Sequence, residues 1–223
     1  MIKPRVKICC ISSIEEANMA VKYGASALGL VSEMPSGPGV ISEKLIYEIA
    51  ATIPPAIGSF LLTSKRSADE IIQQQKKCRV NSIQLCDFVE RSGLEKLRIE
   101  LPGISLIQVI HVKEGSSIKE AVEVSPFVDA LLLDSGDKNS EIKELGGTGR
   151  VHNWEISREI NKRVSIPIFL AGGLNLENVV DAIKQVEPFG VDVCSGVRTN
   201  GKMDEIKLSK FFKNINSKIQ FCK

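Results

Sequence analysis

Residues suited to proton transfer cluster near the start of the chain. In Arg5-Val6-Lys7-Ile8-Cys9-Cys10-Ile11, strand alternation puts Lys7 and Cys9 on one face and Ile8 and Cys10 on the other. A thiol acts as base or nucleophile only as the thiolate, which a neighbouring ammonium favours. The competing reading is packing, since a free cysteine behaves as a small hydrophobe. A second acid-base group, Asp134, closes the apolar run Ala130-Leu131-Leu132-Leu133. An isolated aspartate in that place is ordinarily a helix cap or a loop carboxylate. Two glycine sets point to a bound anion: Gly172-Gly173 and Ser195-Gly196, each following an apolar run. Glycine lets backbone amides approach the oxygens of a phosphate. A third set, Gly146-Gly147-Thr148-Gly149, lies in a long loop after Asp134.

These groups need a scaffold that brings distant strand ends together. Eight short apolar runs alternate with helical patterns. The first runs from Arg5 to Ile11, and a helix over about Ser13 to Tyr23 follows, capped by Ser12 or Ser13. Strands are then expected at Ala27–Val31, Ala56–Leu62, Ser82–Cys86, Ser105–Ile110, Ala130–Asp134, Ile166–Ala171 and Gly190–Ser195. Helices are expected from Ser42 through Ala51, Ser67 to Lys77, Val89 to Ile99, Ser117 to Val124 and Asp204 to Phe212. Near-continuous apolar strands fit a parallel sheet covered on both faces. Eight strand–helix units predict an α/β fold of the (β/α)8 TIM-barrel type, one domain over residues 1–223. The rival, a doubly wound sheet, lacks a G-x-G-x-x-G after the first strand. In a barrel the site sits at the C-terminal ends of the strands. That rim would collect Cys9, Asp134, Gly172, Gly173, Ser195 and Gly196, with Lys7, Gln84 and Gln108 able to point inward.

Composition excludes several classes. The 223 residues are 43% hydrophobic and 25% charged, with net charge +2, too small to imply nucleic acid or an anionic membrane as partner. No apolar run reads as a signal peptide or a membrane span. The six cysteines form no C-x-x-C pair and no metal-ligand spacing, so reduced thiols in a cytoplasmic protein without a metal are expected.

In this order and spacing, Lys7-Ile8-Cys9, Gln84-Leu85, Leu133-Asp134-Ser135, Gly146-Gly147-Thr148-Gly149, Trp154, Leu170 through Leu174, Asp192 through Val197 and Gly201 through Asp204 resemble phosphoribosylanthranilate isomerase, a family of tryptophan biosynthesis. The resemblance runs nearly end to end. It implies a cofactor-free barrel that converts a phosphorylated aminoaldose into an aminoketose by an Amadori rearrangement. It implies Asp134 as general acid toward the ribose ring oxygen and Cys9 as general base toward C2, with no histidine required. His111 and His152 are accordingly read as loop or strand-end residues. The phosphorylated sugar would be bound by Lys7, Gly147, Gly172, Gly173, Ser195 and Gly196. Monomer and homodimer both remain open.

The departures fall on one side of the substrate. Where the family's loop after the second strand carries an arginine for the anthranilate carboxylate, this chain has Gly39. The glycine after the catalytic cysteine is Cys10, and His-Gly after Gln84-Leu85 is Cys86-Asp87. Arg198, where the family often has glutamate, is the candidate replacement for the missing guanidinium; a solvated loop cation is the plain alternative. Two further readings stay open. One is an isomerase or epimerase of a related aminoribose or sugar phosphate without anthranilate, which turnover of such a substrate would favour. The other is a non-catalytic phosphosugar-binding barrel, which tight binding without turnover would favour.

Overall fold

Alternation of side chains along short apolar strands produces two buried layers here, and a barrel is what lets both be covered. The computed structural model describes residues 3–136, 143–146 and 149–218. Strands β1 (Arg5–Ile8), β2 (Ala27–Val31), β3 (Gly58–Thr63), β4 (Ser82–Leu85), β5 (Ser105–His111), β6 (Ala130–Asp134), β7 (Ile168–Leu170) and β8 (Gly190–Val193) pair in parallel, in chain order. The barrel closes where β1 pairs with β8, setting Lys7 opposite Asp192.

Helices α1 (Ile14–Lys22), α2 (Glu43–Ala50), α3 (Ala68–Cys78), α4 (Arg91–Glu100), α5 (Ser116–Val124), α6 (Trp154–Arg163), α7 (Val179–Val186) and α8 (Glu205–Lys218) follow the strands. Two of the expected caps form: Ser13 Oγ accepts the Glu16 amide at 3.2 Å, and Ser42 Oγ the Leu45 amide at 3.2 Å. After β8, the two-residue strands β9 (Arg198–Thr199) and β10 (Lys202–Met203) pair antiparallel before α8.

The outward residues of the strands, such as Ile8, Leu28, Leu61, Ile83, Leu131 and Val191, join the apolar helix faces in the larger core. Each such side chain contributes roughly 1.5–3 kcal/mol on burial. Inward residues fill the barrel with Phe60, Leu62, Ile107, Val109, Leu132 and Phe169. Phe60 and Phe169 meet edge to face at 6.0 Å. Gly190 makes room for this plug, because a Cβ there would lie 2.6 Å from the Phe169 ring.

The eight-stranded barrel expected from the sequence is the one observed, with β1 shorter than expected. It ends at Ile8, and Cys10 leaves the strand with φ 60°. That left-handed turn brings the Cys10 side chain into the inner cluster beside Cys9, so the two do not stand on opposite faces. Gly147, Thr148 and Cys222 lie outside the described residues.

Candidate active site

Lys7 enters the barrel from the middle of β1 and is completely buried. A buried ammonium needs a partner, and closure of the barrel supplies one: Lys7 Nζ donates to Asp192 Oδ2 at 2.9 Å. It also lies 3.6 Å from Cys9 Sγ and 5.4 Å from the centre of the Phe60 ring. Burial opposes the Lys7 charge, but the Asp192 carboxylate outweighs it and holds the ammonium above the ordinary lysine range. Gly29 on β2 gives these groups their space: a Cβ there would meet Cys9 Sγ at 2.8 Å and Lys7 Nζ at 3.0 Å. The arrangement sets a fixed positive charge against the sulfur, from the side away from solvent.

Asp134 ends β6 on the same rim and is 8% exposed. Its Oδ1 accepts the Ser135 amide at 2.7 Å. Burial raises its carboxyl above the usual range, more strongly than the Ser135 amide lowers it. A carboxyl so placed keeps its proton to higher pH, as a proton donor requires. His111, opposite Asp134 in the β5–β6 register, has Nε2 3.1 Å from the Cys86 carbonyl. His152 Nε2 lies 2.7 Å from Ser157 Oγ, and burial lowers its pKa to about 4, so its ring is neutral at pH 7.

Cys9 and Asp134 line one cavity at the C-terminal mouth of the barrel, together with Gln84, Asp192, Gly172, Gly173 and Ser195. Asp192 Oδ1 and Gln84 Oε1 are buried acceptors without a hydrogen-bond partner among the described residues. Both are suited to accept from substrate hydroxyls or an amine. Met34, Leu62 and Leu145 give the cavity its apolar wall.

The glycine loops border the same mouth. Gly172 and Gly173 have φ of 80° and 61°, and among the described residues neither amide donates within the protein. Asn178 Nδ2 holds the turn by donating to the Gly173 carbonyl at 3.0 Å. A Cβ at Gly173 would lie 2.7 Å from the Arg150 carbonyl carbon, so this loop is closed to larger residues. Gly149 faces Ser195 from the loop after β6, and its own Cβ would stand 3.9 Å from Ser195 Oγ.

Two of the sequence departures are one structural feature. Gly39 has φ 81°, and a Cβ there would fall 2.5 Å from the Cys10 Cβ. The Cys10 side chain therefore fills the space that a side chain at position 39 would need. Cys10 Sγ also reaches the Pro38 carbonyl at 3.6 Å.

Arg198 does not line this mouth. Its guanidinium grips Glu16 through two bonds, Nη1 to Oε1 at 2.8 Å and Nη2 to Oε2 at 3.1 Å. It also donates to the carbonyls of Cys10 (2.5 Å), Gly201 (3.1 Å) and Cys9 (3.3 Å). Arg198 is 8% exposed, so the solvated-cation reading fails as well. It ties the turn after β8 to the start of α1 and fixes the backbone beside Cys9. The reason is Glu16: a carboxylate in the first turn of α1 takes both arms of the fork.

The mouth thus gathers the expected Cys9, Asp134, Gly172, Gly173 and Ser195, with Lys7 beneath Cys9. Gly196 sits in the turn after β8, its Cα facing Leu174 and Asn175. Gly147 is outside the described residues. Asp192 enters the sequence reading only as the start of the stretch Asp192 through Val197, without a site role, although an aspartate at an inward position of an apolar strand is a readable signal. Cys194, between Asp192 and Ser195, is a second.

The chain matches the family model "PRAI: N-(5'phosphoribosyl)anthranilate (PRA) isomerase" over residues 6–214. It is 38% identical to N-(5'-phosphoribosyl)anthranilate isomerase 2 of Methanosarcina mazei, over 93% of this chain and 92% of that one. It is 33% identical to N-(5'-phosphoribosyl)anthranilate isomerase of Methanocella arvoryzae, over 93% of this chain and 95% of that one. Among solved structures it resembles a phosphoribosyl anthranilate isomerase in complex with reduced 1-(o-carboxyphenylamino)-1-deoxyribulose 5-phosphate. That match has 28% identity, TM-score 0.79, and covers 97% of this chain and 99% of that one.

Proposed function

The chain belongs to the N-(5'-phosphoribosyl)anthranilate isomerase family, and we propose that it performs the family's reaction with Cys9 as base and Asp134 as acid. The reaction is the rearrangement of N-(5'-phosphoribosyl)anthranilate to 1-(2-carboxyphenylamino)-1-deoxyribulose 5-phosphate in tryptophan biosynthesis. Protonated Asp134 gives its proton to the ribose ring oxygen, the C1–O bond breaks, and the nitrogen lone pair forms the C1=N bond of a Schiff base. The Cys9 thiolate then removes the proton from C2. That electron pair forms the C1=C2 bond and returns the C=N pair to nitrogen, giving an enolamine. Proton transfer from O2 to C1 completes the aminoketose. Asp134 and Cys9 act in turn, and proton exchange through solvent then takes the proton from the Cys9 thiol and returns one to Asp134, restoring base and acid.

The single observation that carries this reading is the shared cavity of Cys9 and Asp134, with Lys7 set 3.6 Å behind the sulfur. We assign the phosphate to the amides of Gly172, Gly173, Ser195 and Gly196, and keep Gly147, which lies outside the described residues, as a further phosphate ligand from the sequence alone. The Lys7–Asp192 pair is assigned to the sulfur and the sugar hydroxyls. Arg198 is assigned a positioning role through Cys9 and Cys10 in place of carboxylate binding. The whole chain is read as one domain, acting in the cytoplasm as monomer or homodimer. No helix among the described residues is long and apolar enough to cross a membrane.

A second reading, an N-substituent without a carboxylate, is favoured by one observation. No arginine, lysine or histidine lines the described mouth. Complementation separates the two. A strain lacking the isomerase should grow without tryptophan when it expresses this chain. Failure of a folded, soluble chain to support growth would favour another phosphorylated aminosugar.

A further inference from the structure

A thiol pair at the edge of the mouth is not used by the acid-base mechanism. Cys194 directly follows β8, and Cys10 lies two residues past β1. These strands are neighbours, joined past their ends by the Cys9 amide donating to the Val193 carbonyl at 2.9 Å. The positive φ of Cys10 turns its side chain toward β8, and its sulfur lies 2.8 Å from that of Cys194. A covalent S–S bond is about 2.05 Å long, so closing the gap takes less than an ångström. Among the other described thiols, Cys9 neighbours Cys10 but also stands against the Lys7 ammonium, while Cys86 stands against the Gln84 amide and Cys78 against the Glu43 carbonyl.

Access is asymmetric. Both sulfurs line an outer groove beside Pro38, Gly39 and Arg198, but Cys194 is partly exposed and borders the mouth as well, whereas Cys10 is 5% exposed. We propose that Cys194 and Cys10 form a reversible thiol–disulfide site that reacts with low-molecular-weight disulfides. The Cys194 thiolate attacks one sulfur of RSSR and expels RS⁻, leaving a mixed disulfide. Cys10 then attacks Cys194 Sγ, the mixed S–S bond breaks, and the Cys10 proton leaves with the second RS⁻. In sum, two protein thiols and RSSR become one protein disulfide and two RSH. Two electrons pass from the protein to the small disulfide.

The order of attack follows from the surroundings. The Cys10 hydrogen bond, and then the Arg198 charge, hold the Cys194 thiol below its usual range, while the Cys194 contact pushes Cys10 up. The more exposed and more acidic sulfur attacks first, and the buried one resolves.

The test uses the full chain with oxidised glutathione, followed by alkylation of free thiols and peptide mapping with fragment sequencing. The expected product is a Cys10–Cys194 linked peptide that dithiothreitol reverses, with Cys9, Cys78, Cys86 and Cys222 alkylated. Cys10→Ser should stop at the glutathione adduct on Cys194, and Cys194→Ser should give no linked peptide. Alkylation of both Cys10 and Cys194 in the wild-type protein after oxidation would overturn the proposal. So would a linkage through Cys9. The wild-type map decides by itself should either variant fail to fold.

Discussion

Lys7 Nζ lies 2.9 Å from Asp192 Oδ2, a carboxylate 185 residues away, across the seam where β1 meets β8. The same ammonium is 3.6 Å from Cys9 Sγ. Barrel closure and the charge set against the Cys9 sulfur are therefore one feature.

Removing one member of this pair leaves the other buried and uncompensated. Asp192→Ala should cost about 3–5 kcal/mol of stability, read as the midpoint shift in urea unfolding. Lys7→Met should destabilise in the same direction and should also lower kcat, because the sulfur loses its cation. A midpoint unchanged by Asp192→Ala would mean that the pair does not hold the seam.

Asp134 has a definite sign in pH. Its carboxyl is raised in the folded protein, chiefly by burial. The native state therefore holds a proton that the unfolded chain releases near an ordinary aspartate value of about 3.9. Its contribution is complete below that value and is lost as pH rises toward the raised folded value. Asp134→Asn, neutral at every pH, should remove this loss and raise stability at pH 7 while lowering kcat. Urea unfolding of both proteins at pH 4 and pH 7 checks it. A variant less stable than wild type at pH 7 contradicts the sign.

Gly39 and Cys10 should behave as a coupled pair. Gly39→Arg alone meets Cys10 and a φ of 81°, and should cost about 1–3 kcal/mol. Cys10→Gly combined with Gly39→Arg should recover much of that cost, a non-additivity that a double-mutant cycle measures. The double variant should also lower KM for phosphoribosylanthranilate, by roughly ten- to a hundredfold for a charge-assisted contact of about 1.5–3 kcal/mol. Additive stabilities in the cycle would mean that Cys10 does not fill the space of residue 39.

Arg198→Ala should act on position rather than on affinity. It breaks a largely buried pair with Glu16 and frees the Cys9 and Cys10 carbonyls. The expected outcome is lower stability and lower kcat with KM little changed. A rise in KM at constant kcat, absent for an analogue without the carboxylate, would restore Arg198 as the carboxylate anchor.

What was legible in the sequence was what local patterns encode. Eight apolar runs with helices between them specify the barrel, and a thiol, a carboxylate and two glycine pairs at strand ends specify the rim. Three things were not legible, for three reasons. Cys10 turns inward because it adopts a left-handed φ that its residue type does not announce. Arg198 turns away from the mouth because Glu16, 182 residues earlier, takes its guanidinium. The clearance at Gly29 shows only once β2 is laid beside β1, since a glycine inside an apolar strand reads locally as a weakness. α6 and α7 were expected as crossovers without bounds, and lie at Trp154–Arg163 and Val179–Val186.

The central claim is that Cys9 and Asp134 transfer the protons from one mouth. It is tested most directly by kcat for phosphoribosylanthranilate isomerisation in Cys9→Ala beside wild type, in protein shown to be folded. General acid-base catalysis contributes about 10²- to 10⁴-fold, so the account predicts a loss of that size in kcat, with inorganic phosphate still bound. A kcat within a few-fold of wild type would contradict it.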